Sequence, residues 1–232
     1  MKATRFEFER RFWIIAGIYF IGFSLSGIDH TPFVSQLRHW LAPSTDSSLF
    51  ARVTIFLGAL LVFGAALIRT WGAAYLRSDI VHDTQQHSEA LVADGPFRFT
   101  RNPLYFANLP MAAGIGLLSS TRGFVFLVLV NWVFVYRLIF REEAALRETQ
   151  GASYQKYFET VPRFWPSLSA RVPSGEATPR WPQAFFGETF IWLFGIAELS
   201  IAITLSAKVG MIIFAIGFCA HLVTNRALLR RS

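Results

Sequence analysis

The residues of this chain that are best suited to chemistry are two adjacent acids preceded by two arginines. Glu142 and Glu143 follow Arg137 and Arg141 on neighbouring helical turns, where a hydrophobic span reaches the membrane surface. An acid at that depth can accept hydrogen bonds from ribose hydroxyls or an amino group, and an arginine can hold a carboxylate or a phosphate. A solvated helix face is the alternative interpretation of the two acids when they are considered alone.

A second polar stretch, residues 95–105, leads into the third hydrophobic span. Pro103 suits the first turn of a helix, and Asn102 suits the cap that precedes it. Backbone N–H groups that are free at a helix start can bind an anion such as a carboxylate. Simple capping by Asn102 and anchoring of Tyr105 at the membrane surface are the structural alternatives.

A few residues inside the spans have two interpretations each. Gly114 and Gly116 leave room either for a flat ligand or for close helix packing. Glu198 is either a paired structural group or part of a site, and the same question applies to Asn131, His221 and Asn225. The only cysteine is Cys219, and no metal-ligand spacing, phosphate-binding loop or Ser-His-Asp order is present, so we expect no metal site.

The composition is that of a membrane protein. Hydrophobic residues make up 53% of the 232 residues and charged residues only 16%, and the mean hydropathy is +0.40. The apolar spans are roughly 12–28, 52–70, 103–120, 123–140, 185–206 and 209–228, each near the ~20 residues needed to cross a bilayer. We therefore predict an all-α, polytopic integral membrane protein with about six transmembrane helices.

The distribution of positive charge predicts the orientation. With six spans, most of the 22 Lys and Arg residues fall on one face, and only Arg38, Arg52, Arg122 and Lys208 on the other. Both termini and the two polar stretches should therefore be cytoplasmic. The net charge of +7 is better explained by topology and anionic lipid head groups than by nucleic acid, which we do not expect as a partner.

The chain divides into four parts by composition. Residues 1–49 form an N-terminal helix and loop, which we expect to be a retained first helix, and residues 50–166 form a core that contains both polar stretches. Residues 167–184 are rich in proline and predict a linker, and residues 185–232 predict a transmembrane hairpin. Within the core, Gly151 should break a helix that then continues to about Thr160, because Pro162 cannot continue it.

The two polar stretches form one composite pattern. Its members are Leu91-Val92, Gly95-Pro96-Phe97, Arg101-Asn102-Pro103, Tyr105, Glu142-Glu143, Leu146, Gly151, Tyr154, Tyr157, Val161-Pro162 and Pro166. This pattern resembles that of the isoprenylcysteine carboxyl methyltransferase family and its relatives, the membrane phospholipid N-methyltransferases, over roughly residues 50–166. Asn102 stands where the family usually has His, and Phe97 where it has Tyr.

The resemblance implies a cofactor, S-adenosylmethionine (S-adenosyl-L-methionine), bound in a helical segment at the cytoplasmic face. The implied cofactor contacts are Leu91, Val92, Gly95, Phe97, Asn102, Pro103, Leu104, Tyr105, Glu142, the paired glycines Gly114 and Gly116, and more loosely His82 and Glu89. The implied catalytic residues are Arg137 or Arg141, which would hold the substrate, and Glu143.

The expected activity is methyl transfer to a lipophilic acceptor that enters from the membrane lipids. Carboxyl O-methylation of an isoprenylcysteine-like substrate is the first choice, and N-methylation of a phosphatidylethanolamine-type phospholipid is the alternative. A non-enzymatic transporter or scaffold is the alternative from another class. It is disfavoured because a transporter should show internal repeats and polar sites at the membrane midplane, whereas the informative polar groups here lie at the membrane surface.

Overall fold

The computed structural model describes residues 2–76, 93–175 and 177–229, and every regular element in these ranges is a helix. The helices are α1 (Arg5–Glu9), α2 (Arg11–Ser24), α3 (Phe33–Leu41), α4 (Ser47–Tyr75), α5 (Pro103–Gly116), α6 (Thr121–Thr160), α7 (Trp181–Gly187), α8 (Thr189–Thr204) and α9 (Ala207–Leu229). Short 3-10 turns cover Leu25–Gly27 and Gly95–Arg98. The predicted all-α class is confirmed.

The number of membrane spans is smaller than predicted. Three helical stretches in the described ranges are long and apolar enough to cross a membrane: Ser47–Tyr75, Thr121–Ala152 and Ala207–Thr224. The pair α7 and α8, bent by 59°, makes a fourth if it counts as one span. The predicted spans at 12–28 and 103–120 form α2 and α5, of 14 residues each. At about 1.5 Å per residue, each is roughly 21 Å long and shorter than the ~30 Å hydrocarbon core.

Helix α4 is the centre of the bundle and packs against α5 and α8, while α6 packs against α5 and α2. The contact between α4 and α5 depends on small residues: a Cβ atom on Gly114 would lie 2.5 Å from the carbonyl oxygen of Gly58. Ala59, Ala65 and Ala66 of α4 are fully buried. Such residues let transmembrane helices approach closely, so α4 fixes the position of α5 and thereby of its N-terminal end.

The loops gather at two ends of the bundle. At one end the Phe33 N–H donates to the Ser119 carbonyl at 3.0 Å, and the Arg122 N–H donates to Asp29 Oδ2 at 2.8 Å. At the other end the Ala3 N–H donates to the Arg137 carbonyl at 3.0 Å. Residues 122 and 137 are 15 positions apart on α6, about 22 Å along its axis, so the N-terminal segment lies far from the 29–33 loop.

Helix α6 is broken where the sequence predicts. Gly151 has φ 56° and ψ −131°, a non-helical conformation within Thr121–Thr160, and the helix ends before Val161. The second part of α6 then returns to the 95–98 turn, where the Tyr157 hydroxyl donates to the Phe97 carbonyl at 2.8 Å. The break therefore brings the end of α6 back onto the first polar stretch.

Candidate functional site

A buried carboxylate joins the two polar stretches. Glu143, only 4% exposed, accepts hydrogen bonds from Arg101 Nε at 3.0 Å, from Asn102 Nδ2 at 3.2 Å and from Arg163 Nε at 2.9 Å. Both carboxylate oxygens are engaged in this way. We call these four residues the Glu143 clasp. Its contacts make Glu143 a group that positions the site, whereas the predicted catalytic role of Glu143 stays a prediction.

Further bonds hold the first polar stretch against the end of α6. The Arg101 N–H donates to the Pro162 carbonyl at 2.8 Å, and the Thr100 hydroxyl donates to the Phe164 carbonyl at 3.0 Å. Burial lowers the pKa of the Arg101 guanidinium, and the Glu143 carboxylate opposes that change. Burial raises the pKa of Tyr157 well above its usual range, so this hydroxyl stays a neutral donor.

Glu142 points to a different set of residues from its neighbour. Its carboxyl group interacts with the Tyr105 hydroxyl, and the Arg11 guanidinium acts electrostatically on both groups. The charge of Arg69 also reaches Tyr105. Glu142 and Tyr105 are half-buried. The structure thus brings together an acid, a phenol and two cations, of which sequence reasoning identified only Glu142 and Tyr105.

The two arginines predicted to hold the substrate contact the N-terminal segment instead. Arg137 donates to both oxygens of Glu7 at 2.8 and 2.7 Å, and Arg141 donates to the Ala3 carbonyl at 3.1 Å. The Thr4 backbone N–H and then Arg137 lower the pKa of Glu7 to about 2, so the Glu7 carboxylate is ionised at neutral pH. A substrate contact for either arginine stays a prediction.

The other predicted contacts in the first stretch have structural surroundings of their own. Asn102 Nδ2 also donates to the Arg163 carbonyl at 2.9 Å, and Phe97 is buried. Gly95 has φ 55°, and a Cβ there would lie 2.4 Å from the Tyr75 ring. Pro103 begins α5, and Leu104 packs beside Gly72. These residues shape the loop that leads into α5, and Tyr105 lies in the first turn of that helix.

The paired glycines lie away from Glu142 and Tyr105. Gly114 faces Gly58, and a Cβ on Gly116 would lie 3.1 Å from the Phe124 ring. Gly114 is 11 positions after Pro103, about 17 Å along α5. The structure therefore gives both glycines a packing role, and their contact with a cofactor stays a prediction. The predicted contacts His82, Glu89, Leu91 and Val92 lie outside the described residues.

Two polar residues inside the spans, Glu198 and Asn131, are buried without hydrogen bonds to other described residues. Glu198 is 2% exposed and Asn131 is 1% exposed, and no polar side-chain atom of either has a hydrogen-bond partner in the described ranges. Asn131 lines a small void together with Tyr105 and Trp132. His221 lies against the Phe186 ring, 4.6 Å between ring centres, and the Asn225 side chain lies outside what the structure describes. Their roles stay open.

An apolar cavity of about 700 Å³ lies among α2, α4, α5 and α8. Phe12, Tyr19, Arg69, Met111 and Phe190 are among its lining residues. Its polar corner is close to the site, because Arg69 Nη1 donates to the Leu104 carbonyl at 3.5 Å, next to Tyr105. No sequence pattern could indicate this cavity, since its walls come from segments more than 100 residues apart.

Arg69 is held at this corner by a buried ion pair. Its Nε and Nη2 atoms donate to Glu188 at 2.7 and 3.1 Å. Glu188 lies at the bend between α7 and α8, and its side chain is 5% exposed. This pair ties the C-terminal helices to α4 and closes the cavity on that side.

Comparison with known proteins identifies the central part of the chain. Residues 53–153 match the family described as phospholipid methyltransferase, which covers most of α4, all of α5 and α6 up to its break. The resemblance to the membrane methyltransferases of the isoprenylcysteine carboxyl and phospholipid type, predicted from the sequence, is confirmed over this segment. Tyr105, Glu142 and the Glu143 clasp, apart from Arg163, fall inside it.

A curated relative gives a further, more distant match. The chain is 26% identical over 133 residues to the cobalt-zinc-cadmium resistance protein CzcN of Cupriavidus metallidurans, which covers 57% of this chain and 57% of that protein. The chain thus matches little more than half the length of this relative. No solved structure matches the chain. In the described ranges, no group of three or more His, Cys, Asp or Glu residues is placed to hold a metal ion.

Proposed function

We propose that this protein is an S-adenosylmethionine-dependent membrane methyltransferase that acts on a lipophilic acceptor. One observation carries the proposal beyond the family match. The Tyr105–Glu142 pair lies beside the polar corner of an apolar cavity, because Arg69 lines the cavity and also contacts the Leu104 carbonyl. A polar cofactor and an apolar acceptor can therefore meet at one point.

The donor set at this point fits the cofactor. The Glu142 carboxylate can accept from ribose hydroxyls or an ammonium group, and the Tyr105 hydroxyl can donate or accept. The side chain of Asn102 makes no capping bond at the start of α5, because its amide group donates to Glu143 and to the Arg163 carbonyl. The first backbone N–H groups of α5 therefore have no side-chain acceptor from their own cap, which suits a carboxylate.

The bound cofactor would supply a methyl group on a sulfonium and leave as a neutral thioether. The protein's residues hold and orient the reactants and keep water out. The Glu143 clasp fixes the start of α5, which carries Tyr105, relative to α6, which carries Glu142. A carboxylate acceptor is already ionised at pH 7, so the residues around it need only orient it. An amine acceptor must lose a proton, and Glu142, which interacts with Tyr105, is the acid that we propose to receive it.

For the acceptor we keep carboxyl O-methylation of an isoprenylcysteine-like molecule as the first choice. Its product is a methyl ester, whereas N-methylation of a phosphatidylethanolamine-type lipid gives a base-stable product. A non-enzymatic role as a membrane transporter or scaffold is the competing proposal, and it requires no cofactor binding. These three alternatives are separated by two measurements.

The first measurement is calorimetric titration of the purified protein with S-adenosylmethionine. We expect saturable binding that Glu142→Gln weakens at least tenfold, because a charge-assisted hydrogen bond contributes about 1.5–3 kcal/mol. Glu148→Gln, an exposed acid on the same helix, is the matched control and should bind normally. Equal binding by both variants would remove Glu142 from the site, and no binding by the unaltered protein would exclude the enzyme.

The second measurement is transfer of a tritiated methyl group into prenylated thiols and phosphatidylethanolamine. Mild base should release the label as methanol if the product is an ester. Label that resists base and is confined to phospholipid would refute the carboxylate choice and leave the methyltransferase proposal intact.

A further inference from the structure

We propose that Arg11 binds the anionic head group of the acceptor, whose single hydrocarbon chain lies in the cavity between α2, α5 and α8. This inference rests on the proposed function, because the acceptor is the molecule that the proposed methyltransferase would methylate. It assigns acceptor recognition to parts of the chain outside the matched segment 53–153, namely the N-terminal helices and α8. It also assigns to Arg11 the binding of the acceptor's charge, the role that the sequence analysis gave to Arg137 or Arg141.

Arg11 is a cation that forms no close ion pair with a carboxylate in the described ranges. Its Nη1 atom donates to the Phe8 carbonyl at 3.0 Å, and its guanidinium lies 4.6 Å from the centre of the Phe8 ring. The planar guanidinium therefore keeps donors available for a carboxylate or a phosphate.

The N-terminal segment is fixed so that Arg11 faces the site. Three sets of hydrogen bonds hold the N-terminal segment against α6. Arg137 donates to both oxygens of Glu7, Arg141 donates to the Ala3 carbonyl, and the Ala3 N–H donates to the Arg137 carbonyl. These anchors lie within the five positions before Glu142. As a result, Arg11 acts electrostatically on Glu142 and Tyr105 from across the α2–α6 contact.

The cavity lies along the face of α2 that carries Arg11, because Ile15, four positions after Arg11, lines it. Phe12, which follows Arg11, also lines it, and so do Ala16 and Tyr19 further along α2. The opposite wall comes from α8, through Phe190, Ile191 and Phe194. A volume of about 700 Å³ lies within the ~300–1,000 Å³ of sites that hold one small ligand. The lining is almost wholly aromatic and aliphatic, so a hydrocarbon chain is the occupant that it suits.

Charge complementarity selects an anion for the head of that chain. Arg69 lines the cavity, and Tyr105 interacts electrostatically with Arg69, with Glu142 and with Arg11. A neutral or cationic head would leave the Arg11 guanidinium without an ion-pair partner, whereas a carboxylate or phosphate oxygen would provide one. A carboxylate at this place would lie beside the cofactor contacts Glu142 and Tyr105, where the methyl group must arrive.

The test measures acceptor binding without the cofactor. The probe is tritiated N-acetyl-S-farnesylcysteine, and its methyl ester is the uncharged twin. We expect Arg11→Gln to weaken binding of the acid at least tenfold and to leave the ester unchanged, since only the acid loses a charge-assisted bond. The affinity of Arg11→Lys for the acid should lie between those of the unaltered protein and Arg11→Gln, because lysine keeps the charge but loses the planar pair of donors of the guanidinium. Arg10→Gln, an exposed neighbour, is the matched control and should bind both probes normally.

A second pair of variants tests the chain site. Ala16→Phe fills part of the cavity and should weaken both acid and ester. Ala215→Phe makes the same substitution on the exposed face of α9 and should weaken neither. If Ala16→Phe binds the ester as tightly as the unaltered protein does, the chain does not lie in this cavity.

The source of the anion is read from a third probe, hexadecyl phosphate. If its binding depends on Arg11 and that of the farnesylated acid does not, the head group is a phosphate. If neither probe depends on Arg11, the proposal is wrong. Unchanged binding of the ester by Arg11→Gln, together with a thermal unfolding midpoint close to that of Arg10→Gln, shows that the variant is folded. Normal anion binding by a protein that binds no S-adenosylmethionine would refute the proposed function and leave the lipid-anion site standing.

Discussion

Replacement of Glu143 by glutamine tests whether the clasp is what holds the site together. The amide has one acceptor oxygen, whereas the carboxylate serves Arg101 and Asn102 on Oε1 and Arg163 on Oε2. In the Glu143→Gln variant, an NH₂ group must face one of the two arginines, donor against donor. The side chain of Arg101, only 6% exposed, then loses its counter-charge while it remains buried.

The size of the effect follows from this burial. Breaking a buried ion pair by removing one partner costs about 3–5 kcal/mol. The Arg163 side chain is 37% exposed and can be solvated, so the lower end, about 3 kcal/mol, applies here. At roughly 2–4 °C per kcal/mol for a chain of this size, the midpoint of thermal unfolding should fall by about 6–12 °C.

The assay is thermal unfolding of the detergent-purified protein, followed by titration with S-adenosylmethionine. Glu142→Gln makes the same substitution one position earlier and should shift the midpoint by less than about 2 °C while it weakens cofactor binding. If Glu143→Gln unfolded at the same temperature as the unaltered protein, the Glu143 clasp would not be what stabilises the site. The same conclusion would follow if Glu142→Gln were the less stable of the two.

Three further outcomes are expected. The pKa of Glu7 is lowered from 4.5 to about 2, so the stabilising contribution of its carboxylate is complete above pH 4.5 and is lost as the pH falls toward 2. The difference in unfolding midpoint between the unaltered protein and Glu7→Gln should therefore shrink only in that interval. Asn102→Leu should weaken S-adenosylmethionine binding and cost about 1–3 kcal/mol by leaving buried acceptors unpaired, while Asn102→His, which keeps a donor, should be tolerated in both measurements; equal values for the two would deny the side chain a role. Gly114→Ala should cost about 1–3 kcal/mol by crowding Gly58, whereas Gly64→Ala, with nothing within 4 Å of the new Cβ, should not destabilise; a stable Gly114→Ala variant in the same unfolding assay would contradict the packing role.

The features that the sequence predicted correctly depend on local signals. Gly151 and Pro162 mark a break and an end that any helix would make, and both occur. The pairing of the two polar stretches came from a motif, and the Arg101–Glu143 contact shows that they meet. The predicted number of membrane spans was too high because hydropathy counts apolar residues but does not say how many of them are helical. Helix α5 begins at Pro103 and ends at Gly116, which leaves it short.

The features that the sequence could not predict depend on distant contacts. Arg137 looked free for a substrate because its partner, Glu7, is 130 positions away and leaves no periodic pattern. Arg11 looked like one of several charges that set the topology. The Gly-x-Gly of α5 fitted a ligand pocket and a helix contact equally well, and only the position of Gly58 against Gly114 distinguishes them.

The ion pair between Arg69 and Glu188 has a consequence for how the protein is made. The two partners are 119 positions apart, so Arg69 enters the membrane region during synthesis long before its counter-charge has left the ribosome. An unpaired arginine within a span is costly, and we expect a chain that keeps it unpaired to be less stable. A chain stopped after α6 should therefore be degraded faster in a pulse-chase experiment than the full-length chain. Arg69→Leu should slow the loss of the shortened chain, and equal half-lives with and without Arg69 would show that the waiting charge is not the signal.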